Sequence, residues 1–169
     1  MALRQFFLGF ALTLLALAAQ ANAPSIELRD FDNRPRNVSE FIGKGQWTIV
    51  AVWAHDCPIC DRELGQMSAF HTAYRDRGAS VLGVSIDGIA RIGQARSFAA
   101  RHQLPFVNLI AEPDPDVLVK FGGGAFVGTP THYFYDPLGR IVARKIGPLS
   151  KEDLEAFIEA FDKSPYARH

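Results

Sequence analysis

Residues 46–54, QWTIVAVWA, constrain the fold more than any other stretch of this chain. Nearly every side chain in it is apolar, and several are β-branched. A half-buried strand would alternate polar and apolar residues; this one does not, so it must be covered on both faces. Such a strand needs layers above and below it, and helices packed on a sheet supply them. The next segment agrees. PICDRELGQMSAFHTAYRDR, residues 58–77, has helical spacing, with Ile59, Leu64, Met67, Phe70 and Tyr74 able to share a broad stripe. Pro58 suits a first helical turn, and Gly78 ends the helix in a favoured way.

The same pattern continues along the chain. SIELRDFDNRPRNVSEF (25–41) reads as a short hairpin with turn chemistry at Asp32-Asn33. ASVLGVSI (79–86) is a second buried strand, 90–103 a helix, 106–110 a short strand and 114–121 a short helix stopped by Gly122 to Gly124. THYFYD (131–136) and RIVARKI (140–146) are strands joined by a tight turn. SKEDLEAFIEAF (150–161) is an amphipathic helix whose Ser150 and Asp153 suit a capping box, and the polar residues after it read as frayed. Early crossovers imply parallel pairing and the late hairpin adds antiparallel strands. The expected fold is α/β, with a mixed central sheet flanked by helices and an N-terminal β-hairpin extension. There is no internal repeat and no linker that would split the domain.

Residues 1–23 stand apart. Arg4 precedes an apolar run from Phe6 to Ala19, and Ala21 to Ala23 have the small-x-small form of a cleavage site. This is the plan of a secretory signal. The run is short for a membrane span, which needs about 20 residues, so cleavage is expected over retention as an anchor. The mature domain is then 24–169 and the expected location is the periplasm. Basic and acidic residues number 18 each, so the formal net charge is zero. Removing the leader loses Arg4 alone. Nothing in this balance favours nucleic acid.

The chain has two cysteines, Cys57 and Cys60, directly after the buried strand. An oxidising compartment favours their oxidation. A bridge between them closes almost no loop, so it would do little as a staple. A structural zinc site needs two further ligands, and His55, His71, His102, His132 and His169 form no second half-site at metal spacing. The strand delivers Cys57 to a helix N-terminus, where unpaired N–H groups and the helix dipole favour an anion. A thiolate is such an anion, so Cys57 is the expected nucleophile. Cys60, one turn on and less exposed, is the expected resolving thiol.

These features resemble the thioredoxin superfamily, and within it the exported TlpA/ResA-like thiol–disulfide oxidoreductases. The matching stretches run from LRDFDNRPRNVSEFIGKGQWTIVAVWAHDCPICDRE through VLGVSIDG and LPFVNLIAEPDPDVLVKFG to GTPTHYFYDPLGRIVARKIGPLSKEDLEAFI. The resemblance implies a thioredoxin-like fold and exchange with protein clients, with the reducing direction favoured. Implied partners are client proteins and a membrane or exported electron donor, and the implied state is a monomer. It implies no cofactor beyond a redox-active Cys57–Cys60 disulfide, and no metal. It also implies a cis bond at Thr129-Pro130, facing the cysteines and placed to pair with a bound substrate strand. Glu63 stands where related reductases carry a Glu linked to proton handling, though a dipole role in the first helical turn would also suit it. Trp53, Pro58 and Ile59 complete the expected surroundings.

Several positions depart from the family pattern. Thioredoxin's buried acid is replaced by Ala51, which raises the importance of Glu63 or water as proton acceptor. Asp56 stands where an aromatic residue is usual, and a carboxylate there opposes thiolate formation. His55, if protonated, would offset it. Gly65 replaces a frequent Pro. The loop 122–127, GGGAFV, is long, and Ala125, Phe126 and Val127 could form an apolar lip near Cys57. Two alternative functions use the same fold. A copper metallochaperone would suit soft thiolates, but those relatives place three residues between their cysteines and a His on an extra loop, whereas His132 lies on a strand. A peroxiredoxin-like peroxidase needs a Thr three residues before its Cys, and here that residue is Ala54.

Overall fold

The computed structural model describes residues 23–168. The leader reading falls almost wholly outside these residues. Seven strands form one sheet: β1 (Glu27–Asp30), β2 (Pro35–Asn37), β3 (Trp47–Trp53), β4 (Ala79–Ser85), β5 (Asn108–Ile110), β6 (Thr131–Tyr135) and β7 (Ile141–Ile146), in the order β2-β1-β5-β4-β3-β6-β7. The helices are α1 (Pro58–Tyr74), α2 (Ile92–Arg101), α3 (Pro115–Leu118) and α4 (Lys151–Asp162). β3, β4 and β5 are parallel, because α1 and α2 cross between them. The β1–β2 hairpin joins antiparallel to β5, and β6–β7 antiparallel to β3.

β3 is central and all seven of its residues are buried. Its pleat sends Trp47, Ile49, Ala51 and Trp53 into one core cluster. That cluster holds Leu64, Met67 and Phe70 of α1, Phe98 of α2 and Leu154 of α4. Val50 and Val52 point the other way, toward Val38, Ile42, Leu118 and Phe121. The apolar run in the sequence is thus one strand shared between two cores.

Two expectations need correction. The buried stripe of α1 is Cys60, Glu63, Leu64, Met67, Phe70 and His71. Ile59, one position out of that register, is exposed. Glu63 is not in the first turn: the helix starts at Pro58, so Glu63 is its sixth residue and faces inward. After α4 the described chain ends in a 3₁₀ turn over Pro165–Arg168. A further 3₁₀ turn at Val38–Glu40, missed in the sequence, is closed by an Asn37/Glu40 capping box.

His71 links this core to pH. Its Nδ1 accepts the Val81 N–H at 3.1 Å, so the ring there is neutral at Nδ1. Burial, reinforced by Arg75, holds its pKa below the ordinary imidazole value. Above about pH 6.5 His71 is neutral in both folded and unfolded states. As pH falls through that value, the unfolded chain binds a proton that the folded one refuses, so stability falls until the folded imidazole also protonates. Denaturant midpoints measured from pH 8 to pH 5 should therefore fall less steeply in His71→Gln than in the wild type. An unchanged pH dependence would show that His71 is not the linked group.

Candidate active site

The two cysteines sit where β3 hands the chain to α1. Cys57 is the N-cap residue of α1, with an extended backbone (φ −91°, ψ 105°), and Pro58 opens the first turn. The Cys57 Sγ accepts the Cys60 N–H at 3.1 Å. This is one of the orphan amides of a helix start, here directed at sulfur. The cysteines form a disulfide with Cα atoms 5.3 Å apart. Cys57 is 9 % exposed and Cys60 1 %, so any partner reaches Cys57 first. Pro58, Ile59 and Asp56 are exposed around it.

Trp53 packs beneath the loop. It is fully buried, stacks on Phe98 with ring centroids 5.0 Å apart, and its Nε1 donates to Asn108 Oδ1 at 3.1 Å. Thr129-Pro130 is cis as expected, and Pro130 is buried. The Pro130 carbonyl accepts the Gly147 N–H at 2.9 Å.

His55 is not paired with Asp56. Its backbone N–H donates to Asp87 Oδ2 at 3.0 Å, and its Nδ1 stands 2.6 Å from Asp87 Oδ1. Ser85 Oγ donates to Asp87 Oδ2 at 2.6 Å. The buried Asp87 therefore anchors the loop before the cysteines from the end of β4, leaving Nε2 as the free ring nitrogen of His55. His55, Asp56 and Asp87 come close enough to hold a cation, but both Asp87 oxygens already serve Ser85 and His55. Asp87 was missed in the sequence; the signal available was an acid just past a buried strand, beside the parallel neighbour that carries the cysteines.

Glu63 is buried at 6 % exposure and reaches across to β6. Its Oε1 accepts the Leu149 N–H at 3.0 Å and lies 3.0 Å from His132 Nε2. His132 is itself 1 % exposed. It was noted in the sequence only as a doubtful metal ligand. In the sheet it is the direct antiparallel partner of Ala51.

The glycine loop is only partly the expected lip. Phe126 turns into the second core cluster, while Ala125 and Val127 are exposed. Gly122, Gly123 and Gly124 all have positive φ, and a Cβ at Gly123 would press on Arg144. Arg144 in turn donates from Nη1 to the Ala125 carbonyl at 2.6 Å. The glycines thus let the loop lie close against β7.

Comparison with known proteins points the same way. The profile of the AhpC/TSA family matches residues 19–144. Thiol-disulfide oxidoreductase ResA of Geobacillus thermodenitrificans is 28 % identical over 145 residues, covering 86 % of this chain and 79 % of that protein. Sporulation thiol-disulfide oxidoreductase A of Bacillus subtilis is 26 % identical, covering 69 % of this chain and 68 % of that protein. Among solved structures, the thioredoxin domain of a thiol-disulfide oxidoreductase from Bacteroides vulgatus superposes with a TM-score of 0.67 at 26 % identity, covering 86 % of this chain and 99 % of that one. A secreted Mycobacterium tuberculosis disulfide oxidoreductase shares the fold, with a TM-score of 0.63 at 20 % identity over 80 % of this chain and 96 % of that one.

Proposed function

The chain belongs to the AhpC/TSA family of the thioredoxin superfamily, and from that premise we propose that it is an exported, ResA-like thiol–disulfide oxidoreductase that reduces disulfides in client proteins. The observation that carries the reading is the cysteine pair itself. Cys57 caps a helix and is the more accessible sulfur, and Cys60 is buried one turn behind it. The helix N-terminus stabilises a Cys57 thiolate. That thiolate attacks a client disulfide; Cys60 then attacks the mixed disulfide, releases the client thiol and closes the bridge. Glu63, one turn from Cys60, is the nearest buried carboxylate on the same helix face and is proposed to accept the Cys60 proton.

Peroxidase chemistry fits less well. In the peroxidase relatives a Thr stands three residues before the reactive Cys, and here Ala54, buried and without a hydroxyl, takes that place. Export rests on the leader pattern of residues 1–23. Among the described residues no helix is long and apolar enough to cross a membrane.

Two measurements test the reading. Cys60→Ser, introduced into cells, should accumulate clients covalently attached to Cys57, released by reductant; no adducts would reject the exchange mechanism. Equilibration with glutathione gives the direction. Potentials in this fold run from about −270 mV in thioredoxin to about −120 mV in the oxidant DsbA. A reductase should lie toward the first value, and one near the second would reverse the proposed direction.

A further inference from the structure

We propose that His132 is the positioning residue for Glu63, holding one carboxylate oxygen so that the other takes the Cys60 proton. Ala51 leaves the centre of β3 with no acid of its own. Its direct partner on β6 is His132, and side chains directly opposite in an antiparallel pair share a face of the sheet. Ala51 belongs to the core cluster that contains Cys57, Cys60 and Leu64, so His132 lies on the cysteine face. Glu63 comes to the same place from α1, three residues after Cys60. The missing acid of β3 is thereby replaced from two other elements.

The hydrogen-bonding pattern of Glu63 is lopsided. Oε1 takes the Leu149 N–H and faces His132 Nε2. Oε2 is buried and has no partner among the described residues; the same is true of His132 Nδ1. A buried acceptor without a donor is costly, and it leaves Oε2 as the carboxylate oxygen still open to a proton. Two groups on Oε1 fix the carboxylate's orientation, so the proton-accepting oxygen is Oε2. Removing His132 would leave Oε1 held by the Leu149 N–H alone and free the carboxylate to turn.

The charged groups around this pair are few. On β7 the register partner of His132 is Lys145, which is exposed. Beside Glu63, a surface cleft is also lined by Arg62, Gln66 and Asp153. That cleft connects Glu63 with solvent, so a proton taken from Cys60 can leave.

The inference rests on the exchange reading above. The Cys57 thiolate attacks glutathione disulfide, forming a mixed disulfide and releasing glutathione thiolate. Glu63 Oε2 takes the proton from the Cys60 thiol. The Cys60 thiolate attacks the Cys57 sulfur, the second glutathione leaves as thiolate, and the Cys57–Cys60 bond forms. Two electrons pass to glutathione disulfide, and each thiolate takes its proton from water.

Single-turnover reaction of the reduced protein with glutathione disulfide separates the two steps. His132→Leu should leave formation of the mixed disulfide unchanged and slow its resolution by about 10²-fold, the lower end of the usual general-base contribution. Its resolution should regain speed as pH rises and thiolate forms without a base. His132→Gln, which can still present an N–H toward Oε1, should restore much of the rate. Glu63→Gln should match His132→Leu, and the double variant should be no slower than Glu63→Gln alone, because the two residues act as one unit. Wild-type resolution in His132→Leu, or additive losses in the double variant, would overturn the proposal. If His132→Leu fails to fold, the comparison of Glu63→Gln with Glu63→Gln/His132→Asn, whose side chain is too short to replace the imidazole at Oε1, decides: equal rates support the proposal and a further slowing overturns it. Failure of the first step in the wild type would instead count against the exchange reading itself.

Discussion

Cys57→Ser should reduce disulfide exchange to the rate seen without protein, and it should form no covalent adduct with any client. The reason lies in which sulfur can be reached. Cys60 is 1 % exposed and behind the first turn of α1. Without Cys57 it presents no sulfur to a protein disulfide, and a serine hydroxyl is not ionised at neutral pH and forms no disulfide. Cys60→Ser differs in kind. Cys57 still attacks, so one equivalent of adduct accumulates and turnover stops there. Mass spectrometry of the two variants after exposure to an oxidised model protein distinguishes them: a single adduct for Cys60→Ser and none for Cys57→Ser. An adduct on Cys60 in the Cys57→Ser protein would reverse the assigned roles. The N-cap geometry adds a second expectation. The Cys60 N–H directed at Cys57 Sγ stabilises a thiolate in the reduced protein, so Cys57 should be alkylated by iodoacetamide well below the pH at which an ordinary thiol, with a pKa near 8.5, reacts.

Much of this site could be read from the chain before the fold was known, and the part that could not has a common cause. Cys57, Cys60, Trp53 and Pro58 are contiguous, and the strand-to-helix transition that places them is written in local pattern: an apolar run, then a proline, then 3.6-residue spacing. Thr129-Pro130 is remote but was found through resemblance of its whole segment. Asp87 and His132 were not legible as partners because their roles depend on register. His132 meets Glu63 only because β6 runs antiparallel to β3 with His132 opposite Ala51. A shift of one residue would turn it toward the opposite core. Asp87 meets His55 only because β4 lies parallel and in step with β3, Ser85 opposite Trp53. Ile59 and Glu63 were misread for a different reason. α1 begins at Pro58 as expected, but successive helical residues lie about 100° apart, so Ile59, next to the buried Cys60, falls just outside the stripe, and Glu63, the sixth residue, lies beyond the first turn.

The support beneath the cysteines gives the largest expected effect on stability. Trp53→Ala should destabilise the oxidised protein by about 3–5 kcal/mol, as for other large aromatic side chains deleted from a core. It removes the ring stacked on Phe98 and the donor to Asn108 Oδ1. Trp53→Phe isolates the second part. It retains a ring and leaves the Asn108 oxygen unpaired, which costs about 1–3 kcal/mol. Asn108 has no freedom to seek another partner: its Nδ2 donates to the Phe106 carbonyl at 2.9 Å. Gly83, its neighbour on β4, gives way to it. A Cβ at Gly83 would collide with Asn108 Oδ1. Gly83→Ala should therefore push the amide off the indole and cost about 1–3 kcal/mol by overpacking. Because Trp53→Phe and Gly83→Ala both act through one oxygen, their combined loss in urea denaturation should fall short of the sum. Losses additive to within about 0.5 kcal/mol would show that Asn108 does not couple them. The same coupling reaches the reactive loop: Trp53 is the last residue of β3 and its carbonyl accepts the Ile86 N–H at 2.9 Å. Loosening its ring loosens the point from which both Cys57 and the Asp87 anchor are hung.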